Sequence, residues 1–427
     1  MGKPTKDPLW ISSLYFAEGA PAAIVCEVAV MIFADLGADA TAVARDVSIL
    51  GMPWMLKPLW APVVDCFGSK KRWIIAMQLA MSMLFALSGF FAAPAGRGWF
   101  FALLMAAAFA SATHDIAADG FYIVALDDHA QSLYSGLRSV FFRAAMIVAN
   151  GGMLYFAARA GECFGLTQWQ QALLLAAVLF YILAVIHLFL LPAERPRKSA
   201  ASPTLRATLK EFCRIPHLWV FVLFLIFFRF AEAQLSIVAK LFLRDPEGGA
   251  MTLERYSLFV GTLGVAAMLA GGIVGGVFAA RVGLKRALVP MVLALNVPDA
   301  LYAWWAFFPV SAPAGQAAFI AVEQFGYGFG FTGYMLVMIY LAGRCGSFQT
   351  TVFSYLTCLM ILGLRLPGMF SGALLKNLNR ICGISSWSNY RSFFLWVLVS
   401  TLVSFAVTLA ARRHIPGDFG IAAKDDN

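Results

Sequence analysis

With 61% hydrophobic and only 13% charged residues in 427, and a mean hydropathy of +0.77, the chain lies far below the ~25% charged share of soluble domains and reads as a polytopic membrane protein. A formal net charge of +9 would point to nucleic acid in a soluble chain, but in short loops between apolar runs it follows from the positive-inside rule, and no nucleic-acid partner is expected. Seven cysteines show no CxxC or His/Cys ligand spacing, and there is no Walker motif or nucleophile–base set, so no metal, cofactor or enzymatic activity is expected.

Apolar runs long enough to span cover 9–34, 46–66, 73–93, 99–126, 138–160, 169–191, 217–240, 255–280, 287–308, 315–341, 349–378 and 389–411. Twelve spans put both termini on one side. The loops on that side hold most of the 32 Lys and Arg, so the termini are expected in the cytoplasm. The first span carries Glu18 and Glu27 and lacks a signal-peptide pattern, so it is expected to be retained.

Span one holds Glu18, followed by Gly19 and Pro21, breakers that are tolerable where protein or a wet cavity satisfies the backbone. Span two is Pro53 to Trp73, PWMLKPLWAPVVDCFGSKKRW. Lys57 lies eight residues before Asp65, hence roughly 12 Å inside the bilayer at ~1.5 Å per residue. A lysine there needs a partner. Glu18 is at similar depth, so the two could pair across spans one and two, as a functional site or as a structural staple. Asp65 with Lys70, Lys71 and Arg72 is expected to form a gating latch, or else a plain positive-inside anchor.

Span four places Asp115 and Asp119 four residues apart, on one helical face. Desolvation and like charge both favour a neutral acid, which is how a carboxyl takes up and releases a proton near neutral pH. Arg143, at the depth of Asp119, could hold that acid ionised and leave Asp115 or Glu18 to titrate; a structural bridge is the alternative. His114 could join a proton relay or simply hydrogen-bond. Protons are therefore expected partners of this half.

The stretch 192–216 is the longest loop and divides the spans six and six. Phe16-Ala17-Glu18 recurs as Phe230-Ala231-Glu232, and Gly68-Ser-Lys-Lys recurs as Gly283-Leu-Lys-Arg, 214 and 215 residues on. The expected organisation is an N-terminal half 1–191, a cytoplasmic linker 192–216, a C-terminal half 217–411 and a cytoplasmic tail 412–427. The second half carries Arg229, Glu232, Asp299, Glu323 and Arg365 at membrane depth. The arginines could line a cavity for an anionic small-molecule substrate, since guanidinium grips carboxylate or phosphate at two points, or serve as counter-ions to the acids. Span ten interleaves Gly326, Gly328, Gly330 and Gly333 with Tyr327 and Tyr334; the aromatics are candidate cavity residues, the glycines candidate packing positions.

Three passages carry a family likeness. Tyr15-Phe-Ala-Glu-Gly-Ala-Pro21, Lys57-Pro-Leu-Trp-Ala-Pro-Val-Val-Asp65 and His114-Asp-Ile-Ala-Ala-Asp119 resemble the peptide/acetyl-CoA/drug transporter branch of the major facilitator superfamily, in particular its AmpG-type muropeptide permeases. The turn after Asp65 departs from that branch by having Cys66 where an arginine is common. The resemblance implies an all-α polytopic protein of 12 transmembrane helices in two six-helix halves. It implies proton symport of a muropeptide across the inner membrane of a bacterium, by what is expected to be a monomer. Siderophore importers of the same superfamily are similar in the same passages. A membrane sensor of cell-wall fragments would need a signalling domain, for which 1–8 and 412–427 are too short. A passive channel fits poorly with titratable groups buried in both halves.

Overall fold

A computed structural model describes residues 7–126, 128–161, 164–193, 212–345, 349–384 and 386–416, all helices, turns and connections. Most of the stretch 192–216 and of the tail after 416 lies outside these residues. Eleven helices among the described residues are long and apolar enough to cross a membrane. We number the spans α1 (Asp7–Asp35), α3 (Lys70–Phe90), α4 (Pro94–Ala125), α5 (Leu137–Arg159), α6 (Gln168–Leu190), α7 (Leu218–Arg244), α8 (Leu253–Val282), α9 (Leu284–Phe307), α10 (Pro313–Gly343), α11 (Val352–Cys382) and α12 (Asn389–Arg412).

The twelfth segment, α2 (40–66), is apolar enough but not one helix. It runs as Ala40–Leu50, Met52–Leu56, a 3₁₀ turn Lys57–Leu59 and Ala61–Cys66. Pro53, Pro58 and Pro62 remove backbone donors and crowd the preceding turn, so the ladder cannot run through. Lys57 opens the 3₁₀ turn. The break therefore falls where the charged side chain must leave the lipid-facing pattern.

The chain forms two compact units. The N-terminal unit comprises Met1–Ala38, Ile49–Ala200 and Thr252–Thr262; the C-terminal unit comprises Asp39–Ser48, Ala201–Met251 and Leu263–Asn427. In the N-terminal unit α1 is the central helix, with 78% of its apolar window buried. Trp10, Leu14 and Tyr15 of α1 pack with Phe121 and Tyr122 of α4. In the C-terminal unit α10 holds that place, with Tyr334, Val337, Met338 and Leu341 in one core with Phe224 and Phe228 of α7 and Leu288 and Leu295 of α9.

The glycines of α10 are packing positions. A Cβ on Gly328 would run into the Met268 carbonyl of α8, and one on Gly326 into the Ala294 carbonyl of α9. Across the same contact, a Cβ on Gly275 of α8 would sit 2.8 Å from the Phe329 carbonyl oxygen. Backbones that approach this closely exclude side chains. Tyr327, Phe331 and Tyr334, spaced i, i+4, i+7, occupy the remaining face, toward α7.

Candidate functional site

In the N-terminal unit the acids and cations of α1, α2, α4 and α5 come together, with pairings that depth alone did not give. Lys57 Nζ bonds Asp115 Oδ2 at 2.6 Å, and Trp54 Nε1 donates to the same oxygen at 3.0 Å. Asp115 is 4% exposed. Asp119, one turn on, pairs with Arg138 at 2.5 Å and accepts from the Tyr15 hydroxyl at 3.2 Å. The Arg138 guanidinium is clamped between the rings of Tyr15 and Tyr122, 4.2 and 4.5 Å from their centroids.

Two expected pairings are corrected. Lys57 bonds Asp115 and not Glu18. Asp119 is held by Arg138 and not by Arg143, which contacts the Met146 sulfur at 3.6 Å. Arg143 and Arg138 are five residues apart, about 140° around a helix of 3.6 residues per turn, so only one of them can face α4. Glu18 is the acid left over: its Oε2 is buried and has no hydrogen-bond partner among the described residues. Lys57, Asp115, Asp119 and Arg138 all lie within its electrostatic reach.

The internal repeat explains the vacancy. Glu18 corresponds to Glu232, and the position three residues earlier is Tyr15 in one half and Arg229 in the other. Arg229 bonds Glu232 at 2.9 Å. Tyr15 instead turns its hydroxyl to Asp119, and Glu18 has no cation on its own helix.

His114 faces away from Asp115 into a buried chain. Ser13 Oγ lies 2.9 Å from His187 Nε2, His187 Nδ1 lies 2.8 Å from Gln78 Nε2, and Gln78 Nε2 lies 3.0 Å from His114 Nε2. Ser13 can direct its own proton to the Leu9 or Trp10 carbonyl. The Gln78 amide donates to His114 Nε2, and His187 pairs with Gln78 either by accepting from Nε2 at Nδ1 or by donating from Nδ1 to Oε1, 3.0 Å away. His114 is left to carry its proton on Nδ1, which is buried without a partner. An amide between two imidazoles interrupts a proton relay, so the chain braces α1, α3, α4 and α6 against one another. Trp54, Tyr15, Arg138, Gln78 and His187 were not singled out from the sequence. Their polar ends only acquire meaning once the helix faces are known.

Of the gating group, the side chain of Asp65 lies outside what the structure describes. Lys70 Nζ bonds the Val64 carbonyl at 2.9 Å and Lys71 Nζ the Leu191 carbonyl at 2.7 Å. Each thus satisfies an orphan carbonyl at the C-terminal end of a helix, where a cation also suits the dipole. The backbone N–H of Arg72 is capped by Ser69 Oγ at 3.2 Å.

In the C-terminal unit Arg229 is 5% exposed. It bonds Glu232 and, at 2.8 Å, the Tyr327 hydroxyl, with Phe331 5.1 Å from its guanidinium. It is an internal counter-ion rather than a free cavity cation. Tyr334 is also corrected: it is fully buried and donates to the Leu225 carbonyl at 2.6 Å, which makes it a core residue. Glu323, 8% exposed, accepts from Gln324 at 2.8 Å. Arg365 is half-buried, and its Nε has no partner among the described residues.

Apolar helices in two units, with buried ion pairs and single carboxyls in each, are the build of a multi-pass membrane protein. The Major Facilitator Superfamily model matches residues 14–364, and the chain belongs to that superfamily of transporters. It is 23% identical to the anhydromuropeptide permease of Escherichia coli (strain K12) over 374 residues, 86% of this chain and 72% of the relative. It is 23% identical to the putative transporter AmpG 4 of Rickettsia conorii (strain ATCC VR-613 / Malish 7) over 418 residues, 94% and 95% of the two chains. A mutant form of the nucleoside transporter NupG has the same fold, with a TM-score of 0.74 at 16% identity over 94% of this chain and 99% of that one.

Proposed function

We propose that this protein is a proton symporter that imports a cell-wall anhydromuropeptide across the inner membrane of a bacterium. Relatives named as an anhydromuropeptide permease and as an AmpG transporter support the cargo. The proton rests on one observation: of three neighbouring acids in the N-terminal unit, two are paired with a cation and Glu18 has no cation bonded to it among the described residues. A lone carboxyl beside two ion pairs is the group able to gain and lose a proton without breaking either. Asp115 and Asp119 keep Lys57 and Arg138 in place, so the local charge changes by one proton at Glu18. In this reading residues 1–191 and 217–411 are the two halves, joined by a cytoplasmic linker over 192–216, with both termini cytoplasmic and the chain acting as a monomer. Asp65 with Lys70, Lys71 and Arg72 forms the cytoplasmic latch.

The substrate carries carboxylates, and Arg365 is the cation we assign to one of them, with Tyr327 and Glu323 as further residues assigned to line the path. Arg365→Lys should raise KM about tenfold, the loss of a two-point contact of ~1.5 kcal/mol, with kcat little changed. An unchanged KM would remove Arg365 from the cavity.

Glu18→Gln tests the proton reading. In proteoliposomes the variant should fail to concentrate radiolabelled anhydromuropeptide under an imposed pH gradient while still exchanging it across the membrane. A Glu18→Gln protein that still accumulates cargo would return Asp115 to the role, to be tested as Asp115→Asn in the same assay.

A further inference from the structure

The C-terminal unit holds a second acid with no cation bonded to it among the described residues. Asp299 ends a 3₁₀ turn, Val297–Asp299, that interrupts α9 between Leu284–Asn296 and Ala300–Phe307. Its side chain is 2% exposed and Oδ2 has no hydrogen-bond partner among the described residues. One turn earlier on the same strip of α9 stands Asn296, 1% exposed. Its Nδ2 donates to the Val292 carbonyl at 2.8 Å, and its Oδ1 is likewise buried without a partner. Two orphan acceptors cannot satisfy each other. A proton on Asp299 turns a carboxylate oxygen into a donor, and Asn296 Oδ1, one turn away on the same helix, is an acceptor without a partner.

The charges that act on Asp299 are those of the acids Glu323 of α10 and Glu232 of α7. Glu232 is already bound to Arg229, and the positive charge of Lys240 of α7 acts on Glu323. The arginines of α12 turn elsewhere, Arg391 to the Ala306 carbonyl at 3.0 Å and Arg412 to the Lys285 carbonyl at 2.8 Å. No group of three or more acids, histidines or cysteines among the described residues converges as a metal site.

We propose that Asp299 is a proton-binding site of the C-terminal unit, its proton held between Asp299 Oδ2 and Asn296 Oδ1 and exchanged with Glu323 during the transport cycle. In that exchange the O–H bond at Asp299 breaks as one forms at Glu323, so Glu323 becomes the neutral acid and Asp299 the carboxylate. The held proton does not depend on what the protein carries; its exchange during the cycle rests on the proton-symport reading above.

Infrared spectroscopy of the whole protein in liposomes, with and without [4-¹³C]aspartate labelling, reads the first part without any substrate. A carboxylic-acid C=O band that shifts with the label is expected at pH 7, lost in Asp299→Asn and displaced to higher frequency in Asn296→Ala, where its acceptor is gone. No label-sensitive band at pH 7, or a band that persists in Asp299→Asn, overturns the site. Should Asp299→Asn not fold, the wild-type band and its displacement in Asn296→Ala decide the matter. The second part is read as protons moved per substrate: Asp299→Asn should lower the ratio by one. A ratio unchanged in a variant that has lost the band makes the proton structural and overturns its part in the cycle.

Discussion

Lys57–Asp115 and Arg138–Asp119 are ion pairs of unequal standing. Asp115 has 5% of its side chain exposed and Lys57 26%, against 47% and 33% for Asp119 and Arg138. Removing one partner of a buried pair strands the other, at about 3–5 kcal/mol; an exposed pair is worth about 0.2–1 kcal/mol. Lys57→Met should therefore lower the unfolding temperature in detergent far more than Arg138→Met, and Asp115→Asn added to Lys57→Met should restore most of the loss. Equal losses from the two single variants would contradict the ranking. Tyr334→Phe removes one buried hydrogen bond, so it should cost about 0.5–1.5 kcal/mol of stability and leave KM unchanged. The acids themselves were legible in the sequence, because ionisable groups in apolar runs stand out. Their partners were not. Depth follows from counting residues and places Arg143 beside Asp119 and Glu18 beside Lys57, but facing direction depends on helix rotation, which brings Arg138 and Asp115 to those positions instead.

At the scale of the element, the apolar runs marked the spans correctly because a helix must satisfy its own backbone in lipid. What they could not show is that α2 is broken, since Pro58 and Pro62 interrupt the ladder without lowering the hydropathy. Pro58→Ala should straighten that turn and swing Lys57 off Asp115, which predicts a loss of accumulation even though no charge changes; full activity would mean the break has no part in placing Lys57. The contact of α8 with α10 gives a sharper pair. A Cβ on Gly275 would meet the Phe329 carbonyl oxygen at 2.8 Å, while one on its neighbour Gly276 would meet nothing within 4 Å. Gly275→Ala should destabilise by about 1–3 kcal/mol through overpacking. Gly276→Ala should be neutral or gain up to ~1 kcal/mol from helix propensity. Thermal unfolding of the two variants side by side checks this.

For the whole molecule, the repeat that relates Glu18 to Glu232 has been put to different uses in the two units. Arg229 closes the pair in one, and Tyr15 leaves it open in the other, so the proton we propose at Glu18 would follow from a single difference between the halves. Placing an arginine there, Tyr15→Arg, should pair Glu18 and suppress pH-gradient-driven accumulation as Glu18→Gln does. The claim that joins cargo to proton is tested most directly by loading proteoliposomes with a pH-sensitive dye and adding N-acetylglucosaminyl-anhydromuramyl peptide outside, with no gradient imposed. The account predicts acidification of the lumen that starts with the cargo, is absent with a ferric siderophore and is absent in Glu18→Gln. Uptake of the muropeptide with no acidification, or acidification driven by the siderophore instead, would contradict it.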